Sequence, residues 1–446
     1  MDKLTKIAVV SLGCAKNQVD AELMMAHLAE RGCTFVEEPG LSDITILNTC
    51  GFITAAKEEA IEWLNELITL KNEGTIKKIV VTGCLSERYR EEFEKEYPEV
   101  DAVVGIGKNH HIAEIIDEMR QSDTQIARYG TKEGHQMEGD RILTTLPHYA
   151  YLRIADGCDN CCSYCAIPQI RGRYRSRPLE NIVEEARGLA ECGVRELVII
   201  AQDTTRYGLD LYQELRLPKL LKELCKIEKL KWIRILYAYP ERVTDELIDV
   251  IASEEKIVKY LDIPIQHCDG EILKRMNRKG DEESLRSLIK KLREKIPGIT
   301  LRTTFITGFP GETEEQFNRL GEFAEEMKFE RMGCFSFSEE EGTPAAGFSN
   351  QVDEDEREHR KEILEEQQDT RVAALYEAMI GQTQEVVVEG YDRYLEHYFG
   401  RSAMFAPEID GMIYFTAPGD KKPRVGEFVQ VKLLRVVENN LIGETE

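Results

Sequence analysis

Short apolar runs alternate with amphipathic stretches through the first 135 residues. The runs fall at 7–12, 44–48, 78–82 and 102–106. Between them Val19, Leu23 and Ala26, then Ala60, Leu64 and Leu67, recur at helical spacing. Buried strands that alternate with helices predict a parallel sheet wrapped by helices. From Tyr149 the alternation resumes with sharper definition. Strands are predicted at 151–155, 196–201, 232–237, 258–263, 300–306 and 331–337, with helices at 182–192, 217–226, 244–253, 282–295 and 313–327. Six such parallel units predict an incomplete β/α barrel, open on one side.

The stretch 129–147, punctuated by Gly130, Gly134, Gly139 and Pro147, marks a boundary between these two regions. Residues 352–378 read as a charged connecting helix with Ile363, Gln367 and Thr370 on one side. After Gly381 the pattern switches to short strands at 384–389, 403–405, 412–415 and 428–437, which predicts a small antiparallel β-barrel. The expected fold class is therefore α/β, with an N-terminal parallel α/β domain over 1–135, a central open six-unit β/α partial barrel over 144–378, and a small barrel over 381–446.

Cysteine placement adds chemistry to this scaffold. Cys158, Cys161, Cys162 and Cys165 fall within eight residues, and Arg153, Arg171, Arg173, Arg175 and Arg177 surround them. Paired C-x-x-C units suit tetrahedral zinc; Cys158, Cys162 and Cys165 alone give C-x-x-x-C-x-x-C, three thiolates for three corners of an iron-sulfur cube. Cys14, Cys50 and Cys84 each sit just past the C-terminal end of a predicted strand, the edge at which open α/β sheets bind ligands. Each could be a buried small residue ending its strand. Their equivalent placement instead favours a second three-thiolate site, whereas Cys33, at a helix end, reads as structural. Polar groups also follow the central strands: Gln202 and Asp203, Gln266 and His267, and the turn from Thr307 through Gly308 to Glu312. Turn chemistry is the plain alternative for each, and their common rim favours a site.

Charge and compartment narrow the partners. The net charge of -24 and pI near 5.0 repel a phosphate backbone and suit a basic protein. Residues 381–446 alone carry eleven acidic against seven basic side chains. No apolar run approaches the roughly 20 residues that span a bilayer, and the first apolar run soon meets Lys16, Asn17 and Asp20, as a strand does and a signal peptide does not. A cytoplasmic location follows as the expectation, in which twelve cysteines serve as ligands or small hydrophobes more readily than as disulfides.

C-x-x-x-C-x-x-C with a tyrosine before its last cysteine, on the loop after the first strand of a six-unit barrel, resembles the radical S-adenosylmethionine enzymes. The resemblance implies that Cys158, Cys162 and Cys165 hold a [4Fe-4S] cluster whose fourth iron takes the amino and carboxylate groups of S-adenosylmethionine. One electron then yields methionine and a 5′-deoxyadenosyl radical. Tyr164 would stand beside the adenine, and Gln202, Asp203, Gln266, Gly308 and Glu312 are the further candidate cofactor contacts. Cys161 is a spare thiol in this register. It keeps a zinc knuckle open as an alternative; ligation by Cys158, Cys161 and Cys165 loses the match.

Residues 381–446 resemble a TRAM domain, a barrel often used to hold RNA, although the acidic balance does not favour RNA here. The order of the three domains is similar to that of the methylthiotransferases over nearly the whole chain. S-L-G-C-A-K-N-Q-V-D-A-E at 11–22 and A-Q-D-T-T-R-Y-G at 201–208 look most like the RimO-type branch, which modifies an aspartate of the twelfth small-subunit ribosomal protein. That resemblance implies two [4Fe-4S] clusters and two S-adenosylmethionine molecules. One cofactor donates a methyl group to a sulfur on the cluster of Cys14, Cys50 and Cys84; the other yields the radical that opens the aspartate β-carbon. The alternatives are methylthiolation of a tRNA adenosine by the same chemistry and, more distantly, a non-catalytic zinc and RNA-binding adaptor. The expected partner is a basic ribosomal protein met by a monomer, with no membrane; the electron donor and the sulfur source stay open.

Overall fold

The computed structural model describes residues 5–122, 124–419 and 422–445. In the N-terminal region β1 (Lys6–Ser11), β2 (Thr34–Val36), β3 (Ile44–Thr49), β4 (Lys78–Gly83), β5 (Ala102–Val104) and β6 (Ile126–Arg128) form a parallel sheet in the order β2-β1-β3-β4-β5-β6. Every residue of β3 is buried. Met24, Leu28, Ile112 and Ile116 belong to one core cluster against the sheet, and Leu64, Leu67 and Phe93 to another. Burial on both faces is why the central strands read as continuous apolar runs. The three-residue strands β2 and β6 close the two edges and lack such a run, so the hydrophobic pattern did not reveal them.

Strand order matters more than strand count for the chemistry. β1, β3 and β4 are neighbours, with Ser11 opposite Asn48 and Thr49 opposite Gly83. Cys50 and Cys84 are the next residues along the paired strands β3 and β4, and Cys14 caps α1 (Ala15–Glu30) three residues beyond β1. Three cysteines far apart in sequence thus leave adjacent strands at one sheet edge.

Compact units do not follow the linear order of the chain. The first comprises Met1–Thr144, Ala155–Arg175 and Ser338–Gly347; the second comprises Thr145–Ile154, Ser176–Phe337 and Phe348–Glu446. The four-cysteine loop therefore packs in the same unit as Cys14, Cys50 and Cys84.

In the second unit β7 (Tyr149–Arg153), β8 (Glu196–Ile200), β9 (Trp232–Ile235), β10 (Ile257–Asp262), β11 (Thr300–Thr307) and β12 (Arg331–Ser336) pair in parallel in chain order, which leaves β7 and β12 at the edges. The helices between them begin where the sequence caps them: Asp281 with Ser284, and Thr313 with Gln316, form reciprocal capping boxes. The helix Glu354–Met379 buries Arg357, Arg360, Leu364, Gln368, Tyr376 and Met379. This face differs from the expected stripe, and Ile363 is 41% exposed. The helix packs through arginine stems and a glutamine as much as through apolar groups, so hydrophobicity misplaced its face.

The last strands, β13 (Thr383–Asp392), β14 (His397–Ser402), β15 (Ile413–Thr416), β16 (Phe428–Val437) and β17 (Asn440–Thr445), close into a barrel in the order β13-β14-β15-β17-β16. It is antiparallel except for the parallel pair β15 and β17. The run 403–405, expected as a strand, lies just past β14, where Phe405 fills the barrel core without strand pairing. Within this unit the barrel meets the N-terminal ends of the parallel strands. Glu408 accepts from Tyr149 and Tyr151 at 2.7 and 2.9 Å, and Arg401 donates to Glu196 at 2.8 Å. That end of a β/α sheet carries stability, and the opposite end carries chemistry. Among the described residues no helix is long and apolar enough to cross a membrane.

Candidate functional site

Close backbone approach brings Cys14, Cys50 and Cys84 together. Gly13 has φ +89°, and a Cβ there would lie 2.6 Å from Cys50 Cβ and 2.8 Å from its Sγ. Gly51 is pressed as tightly on Leu85, and Gly83, at φ +103°, would place a Cβ 2.4 Å from the Thr49 carbonyl oxygen. Only glycine allows this convergence at Gly13 and Gly83. Cys50 and Cys84 are buried, and Cys14 is half-buried. Burial and the neighbouring Cys14 push the Cys50 thiol up to about 11. Burial likewise raises Cys84 to about 12, although the Arg171 guanidinium opposes it. Thiols held this high keep their protons at neutral pH until a metal replaces them, so loading this set with metal releases protons.

Gly13→Ala is expected to remove the iron held by this set. The added methyl group meets Cys50, and the left-handed backbone alone costs about 1–2 kcal/mol for an L side chain. Iron and sulfide analysis of anaerobically reconstituted variant and parent checks it.

In the four-cysteine loop Cys158 and Cys162 are buried and Cys165 half-buried, while Cys161 is exposed with its backbone at φ +51°. Desolvation, then Cys162 and Cys158, push the Cys165 thiol above its ordinary range. The loop is fixed at several points. The Cys158 amide donates to the Gly172 carbonyl at 3.1 Å and the Cys165 amide to the Cys162 carbonyl at 3.0 Å. Ser163 accepts from the Ala345 amide at 2.9 Å, which brings in the strap Ser338–Gly347. The same strap carries Glu340, buried between Arg88 Nη1 at 2.6 Å and Lys57 Nζ at 3.0 Å. Arg88 ends α2 (Cys84–Arg88), the helix that Cys84 begins, and donates to the Gly51 carbonyl at 3.0 Å. One strap thus braces both cysteine regions.

A buried ionic cluster lies between them. Arg171 Nη2 donates to Asn17 Oδ1 at 2.6 Å and to Asp20 Oδ2 at 2.9 Å, and Nη1 donates to Asp156 Oδ1 at 3.2 Å. His135 bonds Asp156 through Nδ1 at 2.7 Å and Asp20 through Nε2 at 2.9 Å. In its doubly protonated form the imidazole donates from both ring nitrogens, one to each carboxylate. Burial opposes that charge, yet Asp20 and Asp156 hold the His135 pKa above its ordinary value. Arg175 Nη2, 3.7 Å from Asp156 Oδ2, adds a further cation to the cluster. Sequence reasoning missed Asn17, Asp20 and His135. The available signal was polar: Asn17 and Asp20 lie three residues apart, on one face of α1, and both are buried.

The strand-end candidates divide into two groups. Asp203 Oδ1 accepts from Thr205 at 2.6 Å and its Oδ2 from Arg242 at 2.8 Å. Glu312, also buried, accepts from Arg360 at 2.8 Å and from the Gly308 amide at 3.0 Å. Gly308, at φ +66°, has Arg357 Cγ 2.2 Å from the Cβ it lacks, so its bareness serves Arg357. These contacts shape the turns that carry the three residues. Gln202 and Gln266 are half-buried, and Gln266, at φ +75°, bridges to β11 through its backbone. These five residues lie in the second unit and the half-buried Tyr164 in the first.

Both cysteine sets fit an iron-sulfur group. Among the described residues no three or more His, Cys, Asp or Glu side chains gather as one metal ion would require. A cluster brings its own irons and sulfides and asks of the protein only spaced thiolates.

Over residues 6–105 the chain matches a family described as uncharacterized protein family UPF0004, over 152–324 the radical SAM superfamily, and over 380–445 the TRAM domain. It is 47% identical over 442 residues to ribosomal protein uS12 methylthiotransferase RimO of Thermoanaerobacter sp. (strain X514), covering 99% of this chain and 100% of that protein. The protein of the same name from Caldanaerobacter subterraneus subsp. tengcongensis is 49% identical with the same coverage. Among solved structures, the radical S-adenosylmethionine methyltransferase TsrM of Kitasatospora setae superposes with a TM-score of 0.54 at 14% identity, covering 74% of this chain and 72% of that one. At that identity the likeness concerns the fold alone.

Proposed function

The chain belongs to the RimO family of uS12 methylthiotransferases and is a radical S-adenosylmethionine enzyme, and from that membership we propose that it methylthiolates the β-carbon of an aspartate in ribosomal protein uS12, using two [4Fe-4S] clusters and two molecules of S-adenosylmethionine. The observation that carries this reading is the presence of two three-cysteine sets in one compact unit. When bound, a cluster at Cys158, Cys162 and Cys165 supplies the electron that cleaves the cofactor, and one at Cys14, Cys50 and Cys84 supplies an open iron for the sulfur to be transferred.

The remaining roles fall to the chain itself. Cys161, exposed on a reversed backbone, takes no part in ligation. Tyr164, Gln202, Asp203, Gln266, Gly308 and Glu312 are the proposed contacts to S-adenosylmethionine. A radical route is demanded by the target, because no side chain removes so weakly acidic a proton as that of an aspartate β-carbon.

Charge supports a basic protein substrate. At -24 the chain attracts a cationic protein and repels RNA. When the reconstituted enzyme is offered uS12 and tRNA side by side, mass spectrometry is expected to find the methylthio group on a uS12 aspartate. A methylthio gain on tRNA adenosine alone would overturn this assignment.

A further inference from the structure

Arg171 touches the surroundings of both cysteine sets. It ends the short helix α3 (Ile167–Arg171), six residues past Cys165 in the chain, and Ala166 and Ile170 pack with Cys84 in one apolar cluster. Its Nη2 stands 3.7 Å from Cys84 Sγ while also serving Asn17 and Asp20. Its Nη1 reaches Asp156, two residues before Cys158. The side chain is 1% exposed. Nη2 carries two hydrogens and faces three acceptors, of which a neutral thiol is the weakest. A thiolate changes that ranking, because a charged acceptor forms shorter and stronger hydrogen bonds with guanidinium.

We propose that Arg171 is a positioning residue that sets the electron affinity of the N-terminal cluster through the Cys84 thiolate, and that the same guanidinium, through Asp156, ties that cluster's surroundings to the start of the radical loop. The proposal rests on the two-cluster reading above. Reduction adds one electron and so one negative charge to the cluster, with no bond made or broken. A buried cation beside a ligating sulfur stabilises the reduced form, since charges interact strongly away from water. The potential is therefore higher with Arg171 than without it.

The test uses the full chain with Cys158, Cys162 and Cys165 replaced by alanine, so that the N-terminal set alone can hold a cluster. After anaerobic reconstitution, iron and sulfide are counted, and the midpoint potential is read by electron paramagnetic resonance during titration with dithionite. Adding Arg171→Gln is expected to lower the reduced-to-oxidised ratio about tenfold at a given potential, a shift of about 59 mV to lower potential for one electron. His135→Gln opens the same ionic cluster without touching a thiol, and its expected shift is much smaller. An unchanged potential in Arg171→Gln, or an equal shift in His135→Gln, overturns the proposal. If Arg171→Gln fails to fold, Arg171→Lys replaces it: moving the charge away from Sγ gives a smaller shift in the same direction, and no shift overturns the proposal. A parent that binds no cluster refutes the two-cluster reading itself, and this inference falls with it.

Discussion

Alanine at Cys158, Cys162 and Cys165 together is expected to lower reductive cleavage of S-adenosylmethionine by at least about 10³-fold, measured as 5′-deoxyadenosine released under dithionite. Losing one outer-shell partner of a metal site already costs about 10–100-fold, and here all three ligands go. Cys161→Ala is expected to leave cleavage at the parent level. Its thiol is exposed, and its backbone, at φ +51°, is turned away from the conformation of its neighbours. The pair of variants separates the two possible registers. A Cys161→Ala enzyme as dead as the triple variant would place Cys161 among the ligands and remove the match to the radical loop.

Glu196→Ala is expected to destabilise the second unit by about 3–5 kcal/mol, because it strands two buried guanidinium groups. Glu196 is fully buried between Arg234 and Arg401, each at 2.8 Å. Burial works to raise its pKa, but Arg401 and Arg234 overcome that and hold it at about 2. A carboxylate depressed in the folded state stabilises the fold above its ordinary value of 4.5, and that contribution is lost as pH falls from there toward 2. The span corresponds to roughly 3 kcal/mol at neutral pH. Urea unfolding followed by tryptophan fluorescence reads it directly, since Trp232 packs edge-on against Phe428 at 4.8 Å beside this cluster. Acid sensitivity between pH 4.5 and 2 should be weaker in Glu196→Gln than in the parent. A loss below about 1 kcal/mol in Glu196→Ala would mean that this cluster behaves as a solvated surface pair.

The two cysteine groupings stood out because each signal was local: a short spacing in the loop, and a cysteine just after an apolar run at 14, 50 and 84. Their convergence was legible only in part. It depends on β1, β3 and β4 being neighbours, which is a matter of strand order. Asp20, His135 and Asp156 were not legible as partners, since Asp20 lies 115 residues from His135 and His135 sits in a stretch that reads as a linker. Asp203 and Glu312 have partners that the sequence did not show. Polar residues at strand ends look like ligand contacts in a sequence, and the partners that occupy them, Arg242 and Arg360, lie 39 and 48 residues away. The stripe on Glu354–Met379 failed for a chemical reason, as its buried face is built from Arg357, Arg360 and Gln368 beside Leu364.

The TRAM-like barrel gains a clearer role from its contacts. Arg401, Glu408 and Asp410 bind it to β7, β8 and β10 through Glu196, Tyr149, Tyr151 and Tyr260. Buried polar contacts of this kind fix one orientation within the unit.

The central claim is that both three-cysteine sets hold clusters and that transfer needs both. The direct measurement counts clusters and methylthio groups in the same samples: reconstituted parent, the Cys14/Cys50/Cys84→Ala variant and the Cys158/Cys162/Cys165→Ala variant, each given S-adenosylmethionine, dithionite, sulfide and uS12. The account predicts two clusters and methylthiolated aspartate for the parent, and one cluster with no methylthio product for each variant. Methylthiolated uS12 from either variant, or a parent with a single cluster, would contradict it.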